Sequence, residues 1–183
     1  MKKLLSFLAL TCISLPLLLK GEEQLKPTAV EREPFSVIGI RRTMPGFCRT
    51  WEVVKGDAAI TEKIKALSGK FFDLGLCNGF VKNGDEWWND YMCAVEWTGE
   101  TPEGFERLEF PAITWLKFDA AGKISEGAMF KVWKHINEEY LPQNNLKKVF
   151  TTMEKYLEWD EAKDHSIVEI WIPIALKQDE TRN

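Results

Sequence analysis

Apolar positions along the chain switch between period two and the helical period. "FSVIGIRRT" (Phe35–Thr43) is rich in β-branched residues and reads as a strand, broken by "MPGF". From Asp57, "DAAITEKIKALSGKFFDL" places Ile60, Ile64 and Leu67 at helical spacing, with Asp57 as N-cap. "GLCNGFVKNGDEWWNDYMCAVEW" then predicts two strands around Asn83-Gly84, a strong hairpin signal. A turn-rich crossing follows from Thr98 to Pro111, then another β run, "AITWLKFDA". "SEGAMFKVWKHINEEYLP" is an amphipathic helix with Met129, Trp133 and Ile136 on its apolar face, ended by Pro142.

Two strands close the chain. In "FTTMEKYLEWD", Glu154, Tyr156 and Glu158 share one face and Met153, Leu157 and Trp159 the other. In "SIVEIWIPI", Val168, Ile170, Ile172 and Ile174 oppose Glu169 and Trp171. The order β-α-β-β, crossing, β-α-β-β predicts an α+β fold of two pseudo-symmetric units with antiparallel sheets. The halves open at Phe35 and Glu109, an offset of about 74 residues. With a helix on one face of each sheet, the other faces are expected to meet across a shared groove.

The N-terminus departs from this pattern. Lys2 and Lys3 precede an uncharged apolar run, Leu4–Leu19, followed by Lys20, Gly21, Glu22 and Glu23. Residues 1–21 read as a secretory signal or membrane anchor in preference to a buried N-terminal helix, so a tether through residues 4–19 and an exported or membrane-anchored location are expected. Residues 22–33, with Pro27, read as a linker before a domain over 34–177 and a short tail, 178–183.

The remaining composition narrows the chemistry. The 183 residues suit one domain, 45% hydrophobic and with eight Trp, some of them core and the number also suited to an apolar ligand pocket. The formal charge is −4 and no block of Lys or Arg stands out, which argues against a nucleic-acid partner. Two His (His135, His165) and no CxxC spacing give no basis for a metal, and no cofactor is expected. Beyond the leader, Cys48, Cys77 and Cys93 read as small buried hydrophobes, with one disulfide the alternative.

Taken in order, "FSVIGIRRT", "AVEW", "PEGFERLEFPAITWLKFDAAG", "VWKHINEEYLPQN", "MEKYLEWD" and "EIWIPI" resemble the GyrI-like, or AraC-type effector-binding, domain of bacterial small-molecule sensors. The resemblance spans about residues 34–175. It implies two β-α-β-β units about a pseudo-twofold axis, with an aromatic groove between them. It also implies that the acid of a Glu-x-Tyr motif, here Glu154-Lys155-Tyr156, points into that groove and meets lipophilic cations. Members serve as drug-sensing halves of transcription activators, as a gyrase-protecting protein, and as hydrolases of cyclopropane-bearing toxins. The stretch before Pro34 is mostly signal-like and too short for a helix-turn-helix, so a direct transcription-factor role is not expected.

On these grounds the candidate ligand-binding residues are Glu154, Tyr156, Tyr91, Trp97, Trp115 and Trp171. A carboxylate in an apolar groove favours a lipophilic cation, and aromatic faces add about 0.5–2 kcal/mol per contact. Tyr91 and Glu96, an odd number of residues apart, cannot both face the groove on a regular strand. Glu169 is either a second groove acid or a solvated edge residue. Trp133 fits the helix core. The expected activity is small-molecule binding without turnover. The alternative is a hydrolase of reactive cyclopropane-bearing toxins that uses Glu154 and Tyr156 as catalytic groups.

Overall fold

The computed structural model describes residues 25–176, so the leader and the tail expected at the two ends lie outside the described residues. The first strand is β1 (Thr28–Arg32), inside the stretch expected to be a linker. It is followed by β2 (Phe35–Pro45), a short helix α1 (Thr50–Gly56), α2 (Ala58–Ser68) and the hairpin β3 (Leu74–Asn83) and β4 (Glu86–Glu96). The crossing carries a strand of its own, β5 (Glu106–Phe110), before β6 (Ile113–Gly122). Helix α3 starts at Ala128–His135, widens into a π turn over Ile136–Tyr140 and finishes at Leu141–Gln143. The strands β7 (Leu146–Lys148), β8 (Thr152–Asp160) and β9 (His165–Leu176) complete the chain. No helix among the described residues is long and apolar enough to cross a membrane.

The sequence places Pro142 at the end of α3, whereas the helix runs through it to Gln143. Proline lacks an N–H, and the turn before it is wider, with the Leu141 N–H bonded to Ile136 O. At the start of α2 the expectation holds. Asp57 Oδ1 accepts from the Ile60 N–H at 3.1 Å and caps the helix. Asp57→Ala is expected to cost about 1 kcal/mol and to lower the melting temperature by about 2–4 °C, with ligand affinity unchanged. Thermal unfolding followed by circular dichroism checks this.

All strand pairs are antiparallel, in the order β1-β6-β9-β8-β3-β4-β2-β5, with β7 on the end of β9. The two units meet through β3 and β8, so their sheets fuse into one curled half-barrel. This corrects the expected groove. The helices of both halves lie on the same face of the joined sheet, and the cleft runs between α1 and α3 above the central strands.

The repeat is longer than the sequence pattern suggests. Thr28 and Phe35 open β1 and β2, and Glu106 and Ile113 open β5 and β6 at one common offset. Phe35 thus corresponds to Ile113 and not to Glu109. β1 pairs with β6 of the other half and β5 with β2, so each half lends its leading strand to its partner. The hairpin strands carry matching bulges, Cys77–Gly79 in β3 and Tyr156–Glu158 in β8. The offset between these bulges also carries Gly75 onto Glu154, and those two are each other's partners across the β3–β8 pair. The approximate twofold axis therefore passes through the Gly75–Glu154 pair.

Both faces of the sheet are cored. On the helix face, Ile38, Ile40, Cys93 and Val95 pack under α1 and α2, while Phe118, Val168, Ile170 and Ile172 pack under α3. On the other face, Val37, Leu74, Leu76, Met92, Phe110, Trp115, Met153 and Trp171 form a third cluster enclosed by the curl of the sheet.

Candidate functional site

Period two on β8 sends Glu154 and Tyr156 to the helix face and Met153 to the opposite one. Glu154 is fully buried in the middle of the sheet. Its Oε1 accepts from the indole N–H of Trp133 on α3 at 2.7 Å. Its Oε2 accepts from the hydroxyls of Tyr91 at 2.6 Å and Tyr156 at 2.8 Å. The Trp51 indole on α1 donates to the Tyr91 hydroxyl at 3.2 Å and lies edge-on to Tyr156, with centroids 5.1 Å apart. Both halves of the fold, from β4, β8, α1 and α3, thus converge on one carboxylate.

Electrostatics leaves this carboxylate under-compensated. It makes no ion pair among the described residues. Burial raises its pKa, and the three hydrogen bonds from Tyr91, Trp133 and Tyr156 pull it back only in part. Burial, and then the Glu154 charge, push both tyrosines well above their usual range, so they stay protonated and donate.

Above this cluster lies a cavity of about 490 Å³. Its walls are mostly aromatic: Phe47, Trp51, Phe71, Phe72, Tyr156 and Trp159, with Met129 from α3 and the thiol of Cys48. Glu52 and an ion pair, Lys55–Glu161 at 3.7 Å, stand at the cavity edge. Glu154 is not part of the wall. Tyr156 and Trp51 separate it from the open space.

The structure sorts the sequence candidates clearly. It brings Glu154, Tyr156 and Tyr91 together. It does not bring Trp115 or Trp171, which meet edge-on, centroids 6.3 Å apart, in the core of the opposite face. Trp171 lies opposite the β-branched residues of β9, the side expected to face the groove, but the curled sheet buries that side too, with Trp115 in it. Trp97 follows β4, packs on the edge of the helix-side core and bonds its N–H to Glu100 O at 2.8 Å, away from the cavity. Glu169 sits with Trp171, accepting its N–H at 3.1 Å and pairing with Lys117 at 3.2 Å, so it is no second groove acid.

Three contributors escape the sequence pattern. Trp133 does pack on the helix core, but its N–H serves Glu154; the available signal is that a buried indole N–H usually finds an acceptor. Trp51 sits on a helix one to two turns long, too short to show periodicity. Trp159 was placed with Met153 and Leu157, but the bulge after Tyr156 shifts the alternation. Trp159 packs 5.7 Å from Tyr156 and Leu157 is left exposed. His135 and His165 pair with Glu139 and Glu158, away from the cavity. Cys48, Cys77 and Cys93 are free thiols, and burial pushes all three upward in pKa.

A single curled antiparallel sheet with helices of both halves on one face, and a buried acid on the pseudo-axis, defines the GyrI-like effector-binding fold. Residues 28–174 match the Cass2 family of integron-associated effector binding proteins, and the chain belongs to that family. It is thus a small-molecule-binding domain in the general sense that this family has. Similar solved structures include SAV2435 bound to tetraphenylphosphonium, with 18% identity, 82% of this chain and 94% of that chain covered, and a TM-score of 0.53. The C-terminal domain of EcmrR matches at 13% identity, with coverage of 83% and 98% and a TM-score of 0.57. The integron cassette protein VCH_CASS2 of Vibrio cholerae matches at 16%, with coverage of 82% and 96% and a TM-score of 0.55. Identities this low speak to the fold alone. No curated protein sequence matches the chain significantly.

Proposed function

We propose that the cavity binds amphipathic organic cations, without turnover. The observation that carries this reading is the fully buried Glu154 carboxylate, with no cationic partner among the described residues, beneath an aromatic cavity. A cation above Tyr156 lowers the energy of that charge, because electrostatic attraction acts across a ring in a low-dielectric site. The aromatic walls add cation–π and apolar contact. The tetraphenylphosphonium held by SAV2435 is a ligand of this chemical type.

The hydrolase alternative gains nothing from the geometry. Proton transfer requires hydrogen-bond reach, and both oxygens of Glu154 already accept from aromatic donors that shut it off from the cavity. Binding through charge needs no such contact.

The test is a matched pair of ligands: tetraphenylphosphonium and the neutral triphenylphosphine oxide, titrated against tryptophan fluorescence. The cation is expected to bind about tenfold more tightly or better, since one cation–π contact and one buried charge together exceed about 1.4 kcal/mol. Equal affinities would remove the carboxylate from the reading.

A further inference from the structure

A second cavity, of about 350 Å³, adjoins the first at Phe47, which lines both. Its walls are apolar and open to solvent: Phe47 stacks on Phe80 at 5.9 Å, both about half exposed, and Phe130 and Trp133 of α3 line the same cavity. Its electrostatic character is the reverse of its neighbour's. No acid lines it, and its charged group is Lys148, on β7. The Lys148 ammonium lies 5.9 Å from the centre of the Trp133 ring and donates to Asn137 Oδ1 at 3.0 Å. It makes no ion pair among the described residues. An ammonium has three donors, so two are left to water or to a ligand. Lys148 is solvent-exposed as a residue, and the apolar groups beside its ammonium desolvate it in part and lower its pKa, a cost that an anion would relieve.

We propose that this second cavity is a distinct ligand site for lipophilic monoanions, with Lys148 as the counter-charge and Phe47, Phe80, Phe130 and Trp133 as its apolar walls. In a chain of formal charge −4, one unpaired lysine in an acid-free aromatic pocket selects anions where the surface at large repels them. The phenyl rings of the pocket supply the hydrophobic contact, and the free N–H groups of Lys148 supply orientation. The inference stands on the Lys148 pocket and not on the role of Glu154, and the two have separate tests.

Tetraphenylborate is the anionic counterpart of tetraphenylphosphonium, alike in shape and opposite in charge. Each is titrated by calorimetry into the full chain in a separate experiment, because the two ions precipitate together as a salt. Tetraphenylborate is expected to bind wild type, and Trp51→Ala, which removes a wall of the first cavity only, is expected to weaken the phosphonium while leaving the borate unchanged. Lys148→Met keeps the apolar stem and is expected to weaken the borate about tenfold while leaving the phosphonium unchanged. Phe130→Asp alters a side chain that is 71% exposed, so the fold tolerates it, and it is expected to weaken the borate by its negative charge. The proposal is overturned if the borate does not bind, if Lys148→Met binds it as well as wild type does, or if Trp51→Ala weakens borate and phosphonium alike.

Discussion

Glu154→Gln is expected to bind lipophilic cations about 30–100-fold more weakly than wild type, and to be the more stable protein at neutral pH. The first effect follows from removing a unit charge about 6–8 Å from the ligand, with the Tyr156 ring between them: at an effective dielectric near 20 that is about 2–3 kcal/mol. The second follows from the same charge in the empty protein. Burial raises the pKa of Glu154 in the folded state above its ordinary value of 4.5. Between those two values the folded protein holds a proton that the unfolded chain releases. Stability linked to Glu154 is therefore complete below the ordinary value and is lost as pH rises through the folded one. Glutamine keeps the shape and can still accept from Trp133, and its amide donates to the tyrosine hydroxyls, without carrying a charge. The melting temperatures of the two proteins should converge at acid pH and separate above about pH 5, with the variant higher by about 2–4 °C per kcal/mol. Calorimetric melts across pH, paired with phosphonium titration, read both effects. A variant that melts below wild type at neutral pH, or binds the cation equally well, would show that Glu154 is a structural acid and not a ligand-directed one.

What could be read in advance depended on how far each element obeys a simple period. The long strands and α2 do, so the fold class, the hairpin at Asn83-Gly84 and the Asp57 cap were legible. Glu154 is legible through the resemblance, and parity separates Tyr91 from Glu96 on β4. The errors have geometric causes. Parity assigns Trp115 and Trp171 to the face away from the helices, but it does not say that the sheet curls and buries that face as well. A single bulge moves Trp159 across the sheet. Thr28–Arg32 and Glu106–Phe110 look like linker and crossing because each is a short edge strand whose partner lies in the other half. Their exchange also explains why the apparent repeat, Phe35 onto Glu109, falls short of the true one, Phe35 onto Ile113. The sequence pattern shows strands, and register comes only from pairing.

Gly75→Ala is expected to be the most damaging small substitution in the site. Gly75 has ordinary strand conformation, so space and not backbone freedom keeps it a glycine. A Cβ there would stand 1.7 Å from the Tyr91 hydroxyl and 2.6 Å from Cζ. On the pseudo-axis, Gly75 and Glu154 occupy equivalent places, and the missing side chain of one opens the path by which Tyr91 reaches the acid of the other. With alanine, either β3 shifts from β8 or Tyr91 withdraws. Withdrawal removes a charge-assisted bond to a buried carboxylate, about 1.5–3 kcal/mol, and overpacking adds about 1–3 kcal/mol. Roughly 2.5–6 kcal/mol of destabilisation is expected from the two together, measured by urea unfolding. A double-mutant cycle identifies the cause. In a Tyr91→Phe background the hydroxyl is already gone, and the same Gly75→Ala change should cost at least about 1 kcal/mol less. An equal cost in both backgrounds would mean that Gly75 answers to the β3–β8 backbone and not to the tyrosine that crosses it.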